Sequence, residues 1–265
     1  LDASIEDITE PVGALALQGP LARAVLERAT HTDFSPLGYF RFTHATVHDI
    51  PVTVSRTGYT GDLGYELWVD AKHALGLWDA LIEAGEPYGI TPAGIWALDI
   101  ARIEAGFIML GVDYHSAHLA DTDAQKSSPF ELNLGWTVSR DKGPFNGRRA
   151  LRAERARPPV WRFTGIVVGW SSLEALYAAN DLPPRLPAIA WRTSTPVYRR
   201  GRQVGYATSG CWSPLLKQSL ALAHLRAPFE PGTQVQLEVT VEHKRRRADA
   251  VVTRLPFFDP ERKRG

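Results

Sequence analysis

The second half of the chain is a succession of short alternating or β-branched segments separated by turns, and this feature restricts the fold more than any other. The segments are FTGIVVGW, TPVYRRGRQVGYATS, SLALAHL and TQVQLEVTVEHKRRRADAVVTRL. Gly201, between two arginines, marks a hairpin tip, and residues 209–214 are typical of a turn before the next strand. Many short antiparallel strands joined by glycine turns are typical of a small barrel. We therefore predict an antiparallel β-barrel in residues 158–265.

The first half of the chain mixes strand and helix patterns, so the predicted fold class is α+β. Strands are predicted at 12–18 and within 37–69, and helices at 21–30, 71–84 and 91–106. Thr91 before Pro92 predicts the N-terminus of the last of these helices, and Gly106 its C-cap. Residues 1–157 are expected to hold mixed or antiparallel sheets with helices. The charged segment 152–159, which ends in two prolines, is interpreted as the linker to the barrel, and the helix and Pro-rich loop at 171–187 as an insertion.

Composition excludes several classes of protein. The chain has 265 residues, a formal net charge of +1 and one cysteine, Cys211, so it cannot form an intrachain disulfide. No apolar run reaches the ~18 residues of a membrane-spanning helix, and no signal peptide is recognisable at the start. The near-zero charge does not favour nucleic acid or membrane surfaces. We expect a cytoplasmic protein, and the absence of an initiator Met suggests a fragment or a processed product.

The stretch SRTGYTGDLGYELWV at 55–69 is the strongest candidate for a binding site. Gly58, Gly61 and Gly64 allow close backbone approach, and Tyr59 and Tyr65 offer flat faces with a polar tip. The motif leads into a strand through one carboxylate, Glu66. Its two coplanar oxygens match the adjacent N–H donors of a planar 2-amino-4-oxo pterin. The open alternative is a tight β-turn with a strand-edge acid in a salt bridge.

Other motifs favour structural roles. Arg102 and Glu104 lie two apart at a helix end, so they are expected to have separate partners; Arg102 either meets a ligand carboxylate or forms a structural ion pair. The acidic and histidine-rich loop 113–123 has no recognised metal-ligand spacing and is predicted to be solvated, so no metal site is predicted. The basic run 243–247 is interpreted as a polar strand end or turn, with a nucleic-acid site, a patch for an anionic ligand tail or an interaction module as alternatives. No nucleophile signature surrounds Cys211.

Six segments in order along the chain resemble the aminomethyltransferase family, the T-protein of the glycine cleavage system and its folate-dependent relatives. They are LALQGP, SRTGYTGDLGYEL, ALDIARIEAG, SPFELNLGWTV, VGYATSGCWSPLLKQSLALAHL and LPFFDP. The resemblance implies a three-part ring around a cavity that holds tetrahydrofolate. It places the family's pterin-binding glutamate on Glu66, a cavity tyrosine on Tyr59 and a second family arginine on Arg102. Arg262 is a further candidate cofactor-binding residue near this cavity.

The sequence also departs from the T-protein pattern. Leu98 stands where the T-protein has a ligand-binding arginine. The resemblance implies that the family's catalytic aspartate lies upstream of residue 1, so the catalytic residue is not assigned. We therefore expect a tetrahydrofolate-dependent transferase of aminomethyl or methyl groups that uses a small methylated or aminomethyl donor. A carrier protein is a further expected partner. Neither nucleic acid nor a membrane is expected as a partner. The alternative is a folate-binding protein or truncated family member without transferase activity.

Overall fold

The structure of the protein is a computed structural model that describes residues 2–226 and 229–264. The chain divides into two compact units. The first comprises residues 1–98 and 259–265, and the second comprises residues 99–258. Both ends of the chain therefore belong to the same unit.

The first unit is built on a four-stranded antiparallel sheet. Its strands are β1 (Val12–Gln18), β2 (Phe42–Val47), β3 (Ile50–Ser55) and β4 (Gly64–Asp70), in the spatial order β1-β4-β3-β2. Two helices, α1 (Ala22–Thr30) and α2 (Ala74–Gly85), contact each other and the sheet. β4 therefore lies between two strands and is not an edge.

Alternation along β4 separates the two faces of this sheet, because successive side chains of a strand point to opposite faces. Tyr65, Leu67 and Val69 are buried in the core that the helices cover. Glu66 is only partly buried and Trp68 is exposed, so both lie on the opposite face. The sheet thus has one apolar face and one face that presents polar and aromatic groups.

The second unit begins within helix α3 (Ile95–Glu104) and contains two more helices, α4 (Arg148–Arg155) and α5 (Trp170–Ala178). Its main element is a closed six-stranded barrel. The strands are β5 (Arg162–Val168), β6 (Thr195–Arg199), β7 (Arg202–Ser213), β8 (Gln218–Leu225), β9 (Gln234–Val241) and β10 (Lys244–Thr253), in the order β10-β5-β8-β7-β6-β9. Alanine recurs among its buried residues, as expected where a small barrel leaves little interior space.

The α+β fold class and the C-terminal antiparallel barrel are confirmed. Two local predictions are wrong. Residues 209–213 belong to the long strand β7, and the turn follows at 214–217. Helix α3 begins at Ile95, where the carbonyl of Gly94 accepts the first helical hydrogen bonds, and not at Thr91. The domain boundary at residues 157 and 158 stays a prediction.

Within the described part of the chain, no helix is long and apolar enough to cross a membrane.

Candidate functional site

The loop 56–63, between β3 and β4, is organised by the side chain of Gln18 at the end of β1. Its amide nitrogen donates to the carbonyls of Thr57 (3.3 Å) and Tyr65 (3.2 Å). Its amide oxygen accepts a hydrogen bond from the Thr60 hydroxyl at 3.0 Å. One side chain therefore connects both ends and the middle of the loop.

The glycines of the motif make room for this amide. A Cβ atom at Gly58 or Gly64 would collide with the side chain of Gln18. Gly61 has a φ of +76°, a backbone conformation that side-chain-bearing residues rarely adopt. The glycine spacing therefore serves the packing of Gln18 and a tight turn, and this packing links the LALQGP motif to the 55–69 motif.

Glu66 lies on the polar face of the sheet between two small cross-strand neighbours, Ala16 and Ser55. Its Oε2 accepts a hydrogen bond from the Thr57 hydroxyl at 2.5 Å, and the Thr57 and Ser55 hydroxyls lie 2.8 Å apart. Among residues 2–226 and 229–264, no Lys, Arg or His forms an ion pair with Glu66. The tight turn of the alternative interpretation is present at Gly61, but Glu66 lies on a central strand and is not in a salt bridge with any described residue. A carboxylate offers about four acceptor positions, so Glu66 retains capacity for further donors.

The two tyrosines of the motif have different surroundings. Tyr59 is partly buried in the 56–63 loop. Tyr65 is fully buried in the core, where its ring lies edge-on to Phe34 with centroids 6.0 Å apart. The expectation that Tyr65 presents a flat face to a ligand is therefore wrong, because strand alternation directs it to the opposite face from Glu66.

Arg262 is paired with a residue of the same loop. Its Nε and Nη2 donate to the two carboxylate oxygens of Asp62 at 2.6 and 2.7 Å. This bidentate hydrogen bonding with Asp62 raises the pKa of the Arg262 guanidinium. The buried guanidinium of Arg56 also donates to the carbonyls of Arg262 and Lys263. The residues 259–264 are thus attached to the loop; the assignment of Arg262 and Tyr59 as cofactor-binding residues stays a prediction.

Arg102, in the second unit, is fully buried in an ionic cluster. Its Nε donates to Asp99 at 2.8 Å and its Nη1 donates to Asp113 at 2.5 Å and to the carbonyl of Phe107 at 3.2 Å. Nη2 has no hydrogen-bond partner among the described residues. Asp99 also accepts from Arg192 at 2.9 Å. The structural ion pair expected at Arg102 is present, and its role in cofactor binding stays a prediction.

A bulge in β7 completes this cluster. The register of β7 against β8 shifts between Ala207 and Ser209. Successive side chains of a regular strand point to opposite faces, but a bulge redirects one of them. As a result, the hydroxyls of Thr208 and Ser209 both donate to Asp113 Oδ1, at 2.5 and 2.7 Å. The prediction of a solvated 113–123 loop is therefore wrong at Asp113, which is 2% exposed.

The neighbours of the cluster are also buried. Glu104 accepts from the Ser213 hydroxyl at 2.5 Å, so Arg102 and Glu104 have separate partners, as predicted. Burial, with the charge of Glu104, raises the pKa of the Cys211 thiol to about 12, so this thiol is inert. Burial lowers the pKa of His224, whose Nε2 lies 2.7 Å from the carbonyl oxygen of Asp113. Nε2 must carry the hydrogen there, because a carbonyl only accepts.

The basic run is a strand end and a turn, as predicted. Glu242 and His243 form the hairpin tip with positive φ, and β10 begins at Lys244. Arg247 lies over the ring of Tyr198, 3.8 Å from its centroid, and Arg245 is 3.6 Å from Glu238. Among the described residues, no group of three or more His, Cys, Asp or Glu side chains could hold a metal ion.

Sequence reasoning missed three residues that position these sites. Gln18 and Thr57 hold the loop and the carboxylate of Glu66, and Asp113 is the centre of the buried cluster. A signal was available for Gln18, since an amide directly after a buried strand and before Gly-Pro requires partners for its polar atoms. No comparable signal marked Asp113, because its partners depend on a bulge.

Two family models match the chain. The GCVT N-terminal domain matches residues 2–142, and the glycine cleavage T-protein C-terminal barrel domain matches residues 182–259. The chain therefore belongs to the glycine cleavage T-protein, or aminomethyltransferase, family, and the resemblance of the six motifs is confirmed.

Several relatives show how far this similarity extends. An aminomethyltransferase of Shouchella clausii is 35% identical over 96% of this chain and 62% of its own length, and one of Halothermothrix orenii is 32% identical over 92% and 60%. A trimethylamine-oxide aldolase of Ruegeria pomeroyi is 33% identical over 100% of this chain and 31% of its own length. The chain thus spans about 60% of the first two relatives.

The similarity extends to a solved structure. The crystal structure of the glycine cleavage system aminomethyltransferase T from Bartonella henselae superimposes with a TM-score of 0.71. It is 24% identical, and the match covers 94% of this chain and 60% of that one. At this identity the likeness shows the fold alone.

Proposed function

We propose that this protein is a tetrahydrofolate-dependent one-carbon transferase in which Glu66 binds the pterin. The observation that carries the proposal is the carboxylate of Glu66 on the polar face of a central strand, with no cationic partner among the described residues and one hydroxyl donor from Thr57. The cross-strand neighbours of Glu66, Ala16 and Ser55, both have small side chains. This donor and acceptor pattern fits the adjacent N–H groups of a pterin edge.

Tetrahydrofolate supplies N5 as the acceptor of the one-carbon unit. The proposed work of the protein is to position the pterin through Glu66 and to line the cavity with Tyr59. Positioning of two reactants provides much of the rate in such transfers. Arg102 is proposed as a cation beside the cavity or as a structural residue, and Arg262 as a weaker candidate. The catalytic residue is not assigned within this chain.

The donor is proposed to be a small methylated or aminomethyl compound. The family membership supports an aminomethyl donor, and the relative named as a trimethylamine-oxide aldolase supports a methylated amine. Leu98, in place of an arginine of the T-protein, supports a donor other than that of the glycine cleavage system. A carrier protein is a further proposed partner. The reaction is proposed for the cytoplasm, where a single thiol stays reduced.

A turnover assay tests this function. Isotope-labelled methylamine, dimethylglycine, trimethylamine oxide and an aminomethylated thiol are offered with tetrahydrofolate, and label on the folate is measured. We expect transfer from at least one donor, and a kcat/KM lowered about 10- to 100-fold by Glu66→Gln, because a hydrogen bond to a charged group is lost. Glu83→Gln, on the exposed side of α2, is the matched control and is expected to leave the rate unchanged.

The same assay separates the alternative. Saturable tetrahydrofolate binding without labelled product from any donor supports a folate-binding protein without transferase activity. Equal rates for the wild type and Glu66→Gln, with measurable transfer, would remove Glu66 from the proposed site while leaving the family activity in place.

A further inference from the structure

The second unit contains a large cavity between the barrel and the segment 170–196. Its volume is about 960 Å³. Four buried barrel residues line it: Val168, Cys211, Leu220 and Leu237. This volume lies at the upper end of the range of about 300–1,000 Å³ that is usual for small-molecule sites.

Aromatic and aliphatic side chains form the opposite wall. Trp170 and Tyr177 come from α5, and Trp191, Leu186 and Ile189 come from the segment that follows. Trp170, Leu186 and Ile189 are exposed large hydrophobic residues, at 42%, 39% and 48% exposure. Leaving these groups in water has a cost that a bound apolar molecule would remove.

The wall is held in place by local constraints. Pro184 and Pro187 restrict the backbone on either side of Leu186. Trp191 exchanges two backbone hydrogen bonds with Gly210 of β7, at 2.8 and 3.0 Å. A preformed wall lowers the ordering cost of binding.

The charges around the cavity favour an anion. Arg185 and Arg245 line it together with one acid, Glu238, so the lining carries one excess positive charge. Glu238 is already engaged, since it accepts from the Tyr198 hydroxyl at 3.0 Å and lies 3.6 Å from Arg245. Arg185 is exposed and has no hydrogen bond or ion pair with any described residue. Arg185 is therefore the cation available to a ligand.

We propose that this cavity is a second ligand site of the protein, and that it takes an aromatic monoanion such as an aromatic carboxylate or sulfonate. The flat ring lies against Trp170, Tyr177 and Trp191, where offset or edge contacts between rings are favourable. The anionic group meets Arg185. All the residues that line this cavity belong to the second unit, whereas Glu66 belongs to the first.

The probe is 8-anilinonaphthalene-1-sulfonate, an aromatic monoanion whose fluorescence rises in apolar surroundings. We expect saturable binding to the native protein with one molecule per chain. We also expect energy transfer from tryptophan, because two tryptophans line the cavity. An excess of tetrahydrofolate is expected to leave the bound fraction unchanged.

Two variants locate the probe. Arg185→Glu reverses the free charge on an exposed loop and is expected to weaken binding about fivefold, as for an exposed charge pair. Trp170→Ala removes one ring of the wall and is expected to weaken binding about tenfold. The matched controls are Arg149→Glu and Trp136→Ala, which change exposed residues outside the cavity and are expected to leave the affinity within about twofold.

Three results would overturn the proposal. The first is no saturable binding. The second is that Arg185→Glu and Trp170→Ala leave the affinity for the probe unchanged, or that the two control variants lower this affinity as much as they do. The third is displacement of the probe by tetrahydrofolate, which would make the cavity part of the folate site. Because Arg185 lies on an exposed loop, its variant gives an answer even if Trp170→Ala does not fold.

Discussion

Asp113 shows how one buried side chain joins distant parts of the chain. Its carboxylate accepts from Arg102, from the backbone N–H of Met109, and from the hydroxyls of Thr208 and Ser209. A buried charge without a partner strongly destabilises the folded state. The charges of Asp113 and Arg102 therefore stabilise each other. The loop that carries Asp113 is therefore fixed at this position even though His115 and His118 on it are exposed.

Asp113→Asn is expected to lower the free energy of unfolding by about 3 kcal/mol, because it removes one partner of a buried ion pair and leaves the charge of Arg102 undercompensated. Denaturation with urea measures this change. Asp141→Asn, at an exposed position, is the control and is expected to change the free energy by less than about 0.5 kcal/mol. A loss at Asp113 no larger than that of the control would contradict the ion-pair account.

His224 makes stability depend on pH. Burial lowers the pKa of its imidazole below the ordinary value for histidine, so the folded state favours the neutral ring. As pH falls below that value, the unfolded state takes up a proton that the folded state does not, and stability is lost. The contribution is therefore present above about pH 6.5 and declines at lower pH.

The stability advantage of the wild type over His224→Gln is expected to shrink between pH 7 and pH 5, by at most about 1.4 kcal/mol per pH unit. Glutamine can still donate to the carbonyl of Asp113 but does not titrate. Urea denaturation at each pH measures the difference. The free energy of unfolding of His118→Gln, a change to an exposed side chain, is expected to follow that of the wild type at every pH. A stability advantage of the wild type over His224→Gln that does not change with pH would contradict a lowered pKa for His224.

At the scale of elements, the glycine-rich loop is defined by a side chain from another strand. Gln18 occupies the space that side chains at Gly58 and Gly64 would fill, and its amide hydrogen-bonds Thr57 and Thr60 of the loop and Tyr65 in β4. Glu66 follows directly in β4, and Thr57 of the same loop donates to it. The position of the candidate pterin-binding carboxylate thus depends on the contact between β1 and the loop.

Gly64→Ala is expected to destabilise the protein by about 1–3 kcal/mol, because the new Cβ displaces the Gln18 amide from its partners. Thermal and urea denaturation measure the change. Gly143→Ala is the matched control: its Cβ would meet no atom within 4 Å, so stability is expected to stay the same or rise slightly. Equal stability for both variants would show that the Gln18 amide moves away at no cost.

Periodicity in the sequence predicted most of the elements, and it failed where tertiary contacts decide. The alternation of β4 and the hairpin at Gly201 were readable because both depend on neighbouring residues. The bulge at Thr208 was not readable, since the glycine, serine and proline of 209–214 are typical of a turn. Glu66 and Arg102 were found by residue type and resemblance, whereas Asp113 required the register of β7.

At the scale of the whole molecule, the chain leaves the first unit at residue 98 and returns to it at residue 259. Residues 262 and 263 are attached to the rest of the first unit by two groups of hydrogen bonds. Arg262 donates two to Asp62, and Arg56 donates to the carbonyls of residues 262 and 263. The loop that carries Tyr59 is therefore held by residues near the C-terminal end of the chain. The chain belongs to the glycine cleavage T-protein family, and we propose that it binds folate at Glu66.

A tetrahydrofolate titration followed by intrinsic tryptophan fluorescence tests that claim most directly. The chain has eight Trp, and Trp68 lies two residues from Glu66 on the same strand face. We expect the wild type to bind and Glu66→Gln to bind about 1.5–3 kcal/mol more weakly, the range for a hydrogen bond to a charged group. Glu83→Gln is expected to match the wild type. No binding by the wild type, or equal binding by Glu66→Gln, would contradict a folate site at Glu66.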